Sequence, residues 1–208
     1  MVKVWDSFIR GYHWLLVVAI GGLWWTAENA YMEWHLRIAI GVGALMLARM
    51  MWGVAGSPNA RIATFVKGPR AFWQHLKELR SGNYQAGKTH NPVGGWAVLL
   101  LWSLIFVQLG TGLFATDEIF FSGPLASLVS SETQSQLTDI HKLNFNVLLT
   151  FIGVHVVAIL VYRLRGENLL GSMVHGRRKL EQAPRLYASG WAWLMAAVLA
   201  TIAWYYWG

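Results

Sequence analysis

Five long apolar stretches constrain what this chain can fold into more than any other feature. Each holds about 20 residues, the length that a helix needs to cross the ~30 Å hydrocarbon core of a bilayer. The stretches cover residues 8–26, 34–54, 93–115, 139–162 and 189–207. They predict an all-α fold: an integral membrane helical bundle with a four-helix core and a fifth transmembrane helix at the C-terminal end.

The composition agrees with a membrane protein rather than a soluble domain. Of the 208 residues, 55% are hydrophobic and 13% are charged, whereas a soluble domain has about 25% charged residues. The chain has no cysteine, which excludes Cys-ligated iron–sulfur clusters, disulfides and covalent c-type haem attachment within it. The net charge of +7 maps onto loops between the spans, so it predicts no nucleic-acid partner.

The loops between the spans alternate in charge. Residues 55–91 and 163–188 are rich in Lys and Arg, whereas residues 27–33 and 116–138 contain acidic residues and no Lys or Arg. Because basic loops of membrane proteins stay in the cytoplasm, the N-terminus is predicted to be cytoplasmic and the C-terminus to lie outside. The pattern thus indicates a multi-pass membrane protein in contact with the lipid bilayer.

Four histidines lie in or at the ends of the apolar stretches. His141 and His155 are fourteen residues apart in the fourth span, so they share one helix face with a rise of about 21 Å between them. His13 begins the first span on the inner side, and His35 begins the second on the outer side. The predicted topology therefore pairs His13 with His155 on the inner side and His35 with His141 on the outer side. Two facing imidazoles at one depth are the axial ligands of a b-type haem, so the pattern predicts two such haems.

Three cations lie close to these histidines in the sequence: Arg10, Arg37 and Lys142. Haem propionates are carboxylates, and we expect cations near them at the membrane surface. An isolated charge can also extend to the headgroups without any ligand. Several small residues in the spans either leave room for a porphyrin or simply allow close helix packing: Gly21, Gly22, Gly41, Gly43 and Gly153.

The three other histidines fall in the basic loops. His75 and His175 are predicted to be solvated surface residues. His90, in the segment KTHNPVGG, is a possible quinone-site residue on the inner side, although a role at the start of a helix explains it equally well. The stretch FVKGPRAFWQHLKELRSG (65–82) has apolar residues at helical spacing and predicts an amphipathic helix at the membrane surface.

The sequence resembles the prokaryotic cytochrome b561 family, which includes the b-type cytochrome subunits of nickel–iron hydrogenases. The matching segments are IRGYHWLLV, EWHLRIAIGVGALMLARMMWG, HNPVGGWAVLLLWSLIFVQLGTGLF and DIHKLNFNVLLTFIGVHVVAIL, and the resemblance covers about residues 5–165. It implies a four-helix core that holds two b haems on His13, His35, His141 and His155. It also implies the bacterial inner membrane, with the N-terminus in the cytoplasm and the C-terminus in the periplasm. We therefore divide the chain into a di-haem four-helix transmembrane core (1–165), a basic cytoplasmic loop (166–188) and a C-terminal transmembrane helix (189–208). The last span places the chain closer to the hydrogenase-subunit branch.

The expected function is electron transfer across or within the membrane, between the quinone pool and a redox partner. That partner is a periplasmic c-type cytochrome, which the acidic outer loops would attract, or a hydrogenase-like subunit. One alternative is a self-contained quinol oxidase that reduces oxygen or another small acceptor, and another is a non-redox transporter or scaffold. A homodimer through glycine-rich faces is possible. Quinol oxidation releases protons and requires titratable or hydrogen-bonding groups at the pocket. The candidates lie on both sides of the membrane: His90, Asp6 and Arg10 inside, and Glu33, Asp117 and Glu118 outside.

Overall fold

The computed structural model describes residues 1–81, 91–180 and 182–208. Within these ranges the fold is all-α apart from one short antiparallel ribbon, as expected. The helices are α1 (Ser7–Glu28), α2 (Met32–Ala55), α3 (Ile62–Phe65), α4 (Pro69–Ser81), α5 (Pro92–Gly112), α6 (Ser131–Leu164), α7 (Leu169–His175) and α8 (Gly190–Trp207). The ribbon joins β1 (Val2–Lys3) to β2 (Arg177–Arg178), and short 3₁₀ turns cover Pro58–Ala60 and Ala126–Leu128.

Three of the described helices are long and apolar enough to cross a membrane: α2, α5 and α6. Helices α1 and α8 have the length of a span, but their hydropathy is lower. Arg10 and His13 interrupt the apolar surface of α1, and aromatic residues end both helices. The membrane helical bundle is therefore supported, whereas the number of five crossings stays a prediction.

Helix α6 begins earlier than the sequence indicated. The fourth span was expected over residues 139–162, but the helix already starts at Ser131 and runs for 34 residues. The hydroxyl of Ser130 accepts a hydrogen bond from the Thr133 amide at 3.3 Å and caps the helix. Such a helix is about 51 Å long, so its polar first turns extend beyond the hydrocarbon core and shorten the predicted outer loop.

The helices pack in two groups. Helix α2 lies against α1 and α8, and α5 lies against α6. In the first group, the Phe8 ring meets Trp52 and Trp193 edge-on, with ring centroids 6.0 and 5.0 Å apart. A Cβ atom at Gly11 would collide with Trp193, so this glycine allows α8 to approach α1. Helix α8 thus packs directly on α1 and α2.

The predicted amphipathic helix exists as α4, but one expectation about it was wrong. His75 is not solvated: it is 5% exposed, and its Nε2 atom lies 3.1 Å from the Tyr162 hydroxyl on α6. The reason is helical spacing, because His75 lies on the same face as Phe72, Leu76 and Leu79. His175, in contrast, is exposed as predicted.

The loop between α5 and α6, predicted to lie on the outer side, has a defined structure. Asp117 Oδ1 accepts hydrogen bonds from the backbone amides of Ile119, Phe120 and Phe121 at 3.0, 2.8 and 2.7 Å. These three donors hold the pKa of Asp117 below its usual value. The turn presents Phe120, 94% exposed, at the tip of the loop. The Thr116 amide donates to the Thr138 hydroxyl at 3.0 Å and holds the loop against α6.

Candidate functional site

The structure brings the four intramembrane histidines together in the two expected pairs. The rings of His13 on α1 and His155 on α6 have centroids 6.5 Å apart, at an interplanar angle of 51°. The rings of His35 on α2 and His141 on α6 have centroids 6.3 Å apart, at 64°. Helix α6 therefore contributes one imidazole to each pair, and the two helix groups face each other at these rings.

These separations suit two imidazoles on opposite sides of one metal ion. A metal–imidazole nitrogen bond is about 2 Å long, and two such bonds plus half the width of each ring put the centroids about 6 Å apart. If the rings were only hydrogen-bonded to each other, nothing would require the two pairs to have nearly equal centroid separations, 6.5 and 6.3 Å. All four rings are half-buried, as expected for donors that line an internal gap between helices.

The outer pair has its second nitrogen atoms engaged. His35 Nδ1 lies 3.0 Å from the Leu23 carbonyl oxygen, and His141 Nδ1 lies 3.2 Å from the Thr111 hydroxyl. The Thr111 hydroxyl donates its own proton to the Val107 carbonyl at 2.7 Å, so it accepts from His141. Both rings then carry the proton on Nδ1 and leave Nε2 free as a ligand, which is the usual arrangement of metal-bound histidine.

The inner pair leaves one polar atom without a partner. His13 Nδ1 is buried, and no hydrogen bond reaches it from residues 1–81, 91–180 or 182–208. A buried ring nitrogen normally has a partner. The described part of the chain therefore does not supply the hydrogen-bond partner that His13 Nδ1 would normally have.

Two residues beside the outer pair were missed by the sequence reasoning. Thr111 bonds His141, and an added Cβ atom at Gly112 would lie 3.0 Å from His141 Cε1 and 3.3 Å from its Nδ1. Glycine at this position therefore makes room for the imidazole. The signal in the sequence was the small pair Thr111–Gly112 at the outer end of an otherwise bulky apolar helix.

The glycines predicted to make room for a porphyrin behave in two ways. A Cβ atom at Gly22 would lie 3.3 Å from Ile38 Cδ1, so this glycine serves the packing of α1 on α2. Added Cβ atoms would have no described atom within 4 Å at the other positions: Gly21, Gly41, Gly43 and Gly153. These four are compatible with a large planar group or with lipid.

The three predicted propionate-binding cations lie in different surroundings. Arg10 Nη1 donates to the Val174 carbonyl oxygen at 2.8 Å. Arg37 forms an ion pair with Glu33 and stacks on Trp204, with its guanidinium carbon 5.3 Å from the ring centroid. The Nε atoms of both arginines are buried and have no partner within the described chain. Lys142 is exposed.

Two of the candidate residues for the quinone pocket, Asp6 and Glu33, already bind other groups of the chain. Asp6 caps α1 by accepting from the Ile9 amide at 2.9 Å, and it also accepts from Trp52 Nε1 at 3.0 Å. Glu33 is paired with Arg37. Glu118 is exposed in the outer loop, and His90 lies outside the described residues.

The site thus consists of paired donors and not of a compact metal-binding cluster. No group of three or more His, Cys, Asp or Glu residues in the described part of the chain could hold a metal ion. A metal that needs only two axial protein ligands fits such pairs, because a porphyrin supplies the remaining four nitrogens. An apolar helical bundle with opposed imidazoles at two depths defines a membrane protein of the haem-binding class.

The comparisons with known proteins identify the family. The model of the family described as prokaryotic cytochrome b561 matches residues 4–176, and the chain belongs to this family. It is therefore a membrane b-type cytochrome that functions in electron transfer and binds b-type haem. Neither the curated proteins nor the solved structures that were searched gave a match.

Proposed function

We propose that this cytochrome holds two b haems and transfers electrons between the quinone pool and a redox partner. The observation that carries the proposal is the pair of opposed imidazoles at each of two depths, 6.5 and 6.3 Å between ring centroids. His141 and His155 are separated by about 21 Å along α6. Two sites at that spacing connect the two halves of a bilayer about 30 Å thick.

Each histidine has a definite task in this proposal. His13 and His155 hold the inner haem, and His35 and His141 hold the outer one. When bound, the two haems supply one-electron chemistry. The chain fixes their spacing through α6 and orients the outer imidazoles through Leu23 and Thr111. With two histidines to hold each haem, the chain would disfavour oxygen binding at iron.

The fit of the residues to haem rests on three features of the chain. The ring separations match two ligands on one iron, the outer Nδ1 atoms are held by acceptors that leave Nε2 free, and His13 Nδ1 has no partner in the described chain. The orphaned Nε atoms of Arg10 and Arg37 are available to oxyanions at the inner and outer ends respectively. These two arginines, together with Lys142, stay our candidates for propionate contacts.

We place quinone chemistry on the inner side of the membrane, with His90 as the candidate residue. His90 precedes Asn91, whose side chain accepts from the Gly94 amide at 2.6 Å and caps α5. The inner side also contains His75 and Tyr162, two titratable residues that are hydrogen-bonded to each other. Tyr162 lies close to Asn91 at the start of α5. On the outer side, the Asp117 carboxylate is already bound by three backbone amides.

We propose a basic periplasmic redox protein, such as a c-type cytochrome, as the partner. The outer loop presents Asp117 and Glu118 next to the exposed apolar side chains of Ile119 and Phe120. An apolar tip with an acidic border suits a partner whose apolar patch is bordered by Lys and Arg, because opposite charge speeds encounter. A hydrogenase-like subunit is the other partner class. A homodimer through α-helical glycine faces is a further proposal.

The test is the haem content of single histidine variants, measured by visible difference spectra and pyridine haemochrome analysis. His13→Ala or His155→Ala should remove one haem, and His35→Ala or His141→Ala should remove the other. His175→Ala is the matched control, because this histidine is exposed, and it should retain both haems. Loss of both haems from all four variants would leave the pairing unsupported, and two haems in all four would refute it.

The alternatives separate by simple criteria. Membership of a b-type cytochrome family favours electron transfer over the non-redox transporter or scaffold. A self-contained quinol oxidase would turn over with quinol and oxygen alone, whereas the proposed carrier requires its partner protein for steady turnover.

A further inference from the structure

Arg49 is a buried cation that the proposed ligand sites leave unused. It lies in the inner half of α2 and is 4% exposed. One terminal nitrogen, Nη2, donates to the Ala60 carbonyl oxygen at 2.9 Å. The guanidinium carbon lies 4.8 Å from the centroid of the Trp102 ring on α5. The other terminal nitrogen, Nη1, is buried, and no described residue offers it a hydrogen bond.

The Asp6 carboxylate and the Tyr12 hydroxyl act on the guanidinium electrostatically, but no hydrogen bond or ion pair from the described residues reaches Nη1. Arginine stays protonated in proteins, and a buried charge is costly unless it is paired and hydrogen-bonded. The ion pairs within the described ranges do not include Arg49. The buried carboxylate of the same core, Asp6, is bound to the Ile9 amide and Trp52 Nε1. The unused donor of Arg49 therefore calls for an oxyanion that the chain itself does not supply.

The position of Arg49 relates this oxyanion to the inner histidine pair. Tyr12, the residue before His13, donates its hydroxyl hydrogen to Met46 Sδ at 3.0 Å. Arg49 follows Met46 by three residues, so it lies about one helical turn closer to the cytoplasm. Arg49 also donates to the carbonyl of Ala60, in the turn that follows the cytoplasmic end of α2. The guanidinium thus lies between the level of His13 and the cytoplasmic surface.

We propose that Arg49 Nη1 binds a propionate carboxylate of the inner haem, the haem held by His13 and His155. This inference rests on the proposed function. It adds a residue that the sequence reasoning did not consider, since that reasoning assigned the inner propionates to Arg10. Arg10 Nη1 is bound to the Val174 carbonyl, but its Nε has no partner in the described chain, so Arg10 stays the candidate for the other propionate. A lipid phosphate has the same oxyanion chemistry, and the experiment below distinguishes the two sources.

The test is a redox titration of the purified holoprotein, followed by visible absorbance, for wild type, R49Q and R49K. The inner haem is identified as the one that is missing in His13→Ala. Loss of a buried positive charge beside this haem disfavours the reduced, more negative state. In R49Q the ratio of reduced to oxidised inner haem at a given potential should fall about tenfold, which is ~59 mV for one electron. R49K retains the charge but cannot place a donor where Nη1 lies, so its shift should be smaller than that of R49Q but still measurable, and the outer haem should not change.

Arg61 provides a matched control. Its Nε donates to the Gly56 carbonyl at 3.0 Å, and its guanidinium lies 5.8 Å from the Tyr187 ring centroid. It thus has the same two kinds of contact as Arg49 but is only half-buried. R61Q should leave both haem potentials unchanged.

Each outcome decides the inference. A downward shift confined to the inner haem supports it. Unchanged potentials in R49Q, with both haems present, would overturn it and leave a lipid phosphate as the partner of Nη1. If R49Q does not fold, a shift of the inner haem in R49K supports the inference and its absence overturns it. Wild-type protein without haem would instead refute the proposed function, which is a distinct result.

Discussion

Replacement of Thr111 by valine isolates one contact of the outer site. Valine has nearly the shape of threonine but cannot accept the hydrogen bond from His141 Nδ1, which spans 3.2 Å to the Thr111 hydroxyl. The bond contributes about 0.5–1.5 kcal/mol, and a half-buried Nδ1–H left without an acceptor costs about 1–3 kcal/mol. At 1.36 kcal/mol per factor of ten, a cost of about 1–3 kcal/mol means that the variant should hold the outer haem roughly 5- to 160-fold more weakly. Loss of partners behind metal-bound histidines has effects of about 10- to 100-fold.

The assay is the rate at which haem leaves the purified protein for an excess of a haem-scavenging apoprotein, read from the visible spectrum. Half of the haem should leave faster in Thr111→Val. The potential of that haem should also rise, because Nε2 becomes a less basic ligand. Thr201→Val is the control, since the Thr201 hydroxyl only donates to the Ala197 carbonyl of its own helix at 2.9 Å. Equal haem loss from Thr111→Val, Thr201→Val and wild type would refute the assigned role of Thr111.

Two further predictions concern Gly112 and His75. Gly112→Val should remove the outer haem, because even its Cβ atom would lie 3.0 Å from His141; Gly110→Val, whose Cβ meets no described atom within 4 Å, should retain both haems in the pyridine haemochrome assay. Burial lowers the pKa of His75, although two nearby carboxylates oppose the shift. The unfolded chain then binds more protons than the folded one, so the packing of α4 should weaken as the pH falls below about 6.5. The protection factors of the α4 amides, which correct exchange for its intrinsic pH dependence, should fall on acidification in wild type but not in His75→Phe. Protection factors that do not change with pH in wild type would contradict this.

Much of the site could be predicted because it depends on local properties of the chain. The fourteen-residue interval between His141 and His155 gives their common face and their separation from helix geometry alone. Loop charge gives the orientation of each span and therefore the depth at which His13 and His35 lie. The pairs found in the structure follow from these two facts.

Other features could not be predicted because they depend on which helices face each other. The burial of His75 results from the docking of α4 near Tyr162, and the sequence placed His75 in a basic, solvated loop. The early start of α6 results from the cap at Ser130, which a reading based on hydropathy overlooks. The ribbon between β1 and β2 pairs Val2 with Arg178, residues too distant in the chain for any local pattern to connect.

The sequence by itself determined the membrane class, the two depths and the histidines that share each depth, because span length, helical periodicity and loop charge act within single segments. The tertiary structure alone decided the partners of those histidines. Thr111 and Gly112 border His141 because α5 packs on α6. Helix α2 directs the Arg49 side chain into the core, where it meets the Trp102 ring and the Ala60 carbonyl. No carboxylate of the described chain binds its Nη1 atom, which therefore has no partner there. Such contacts join residues from different helices, and only the packing of those helices brings them together.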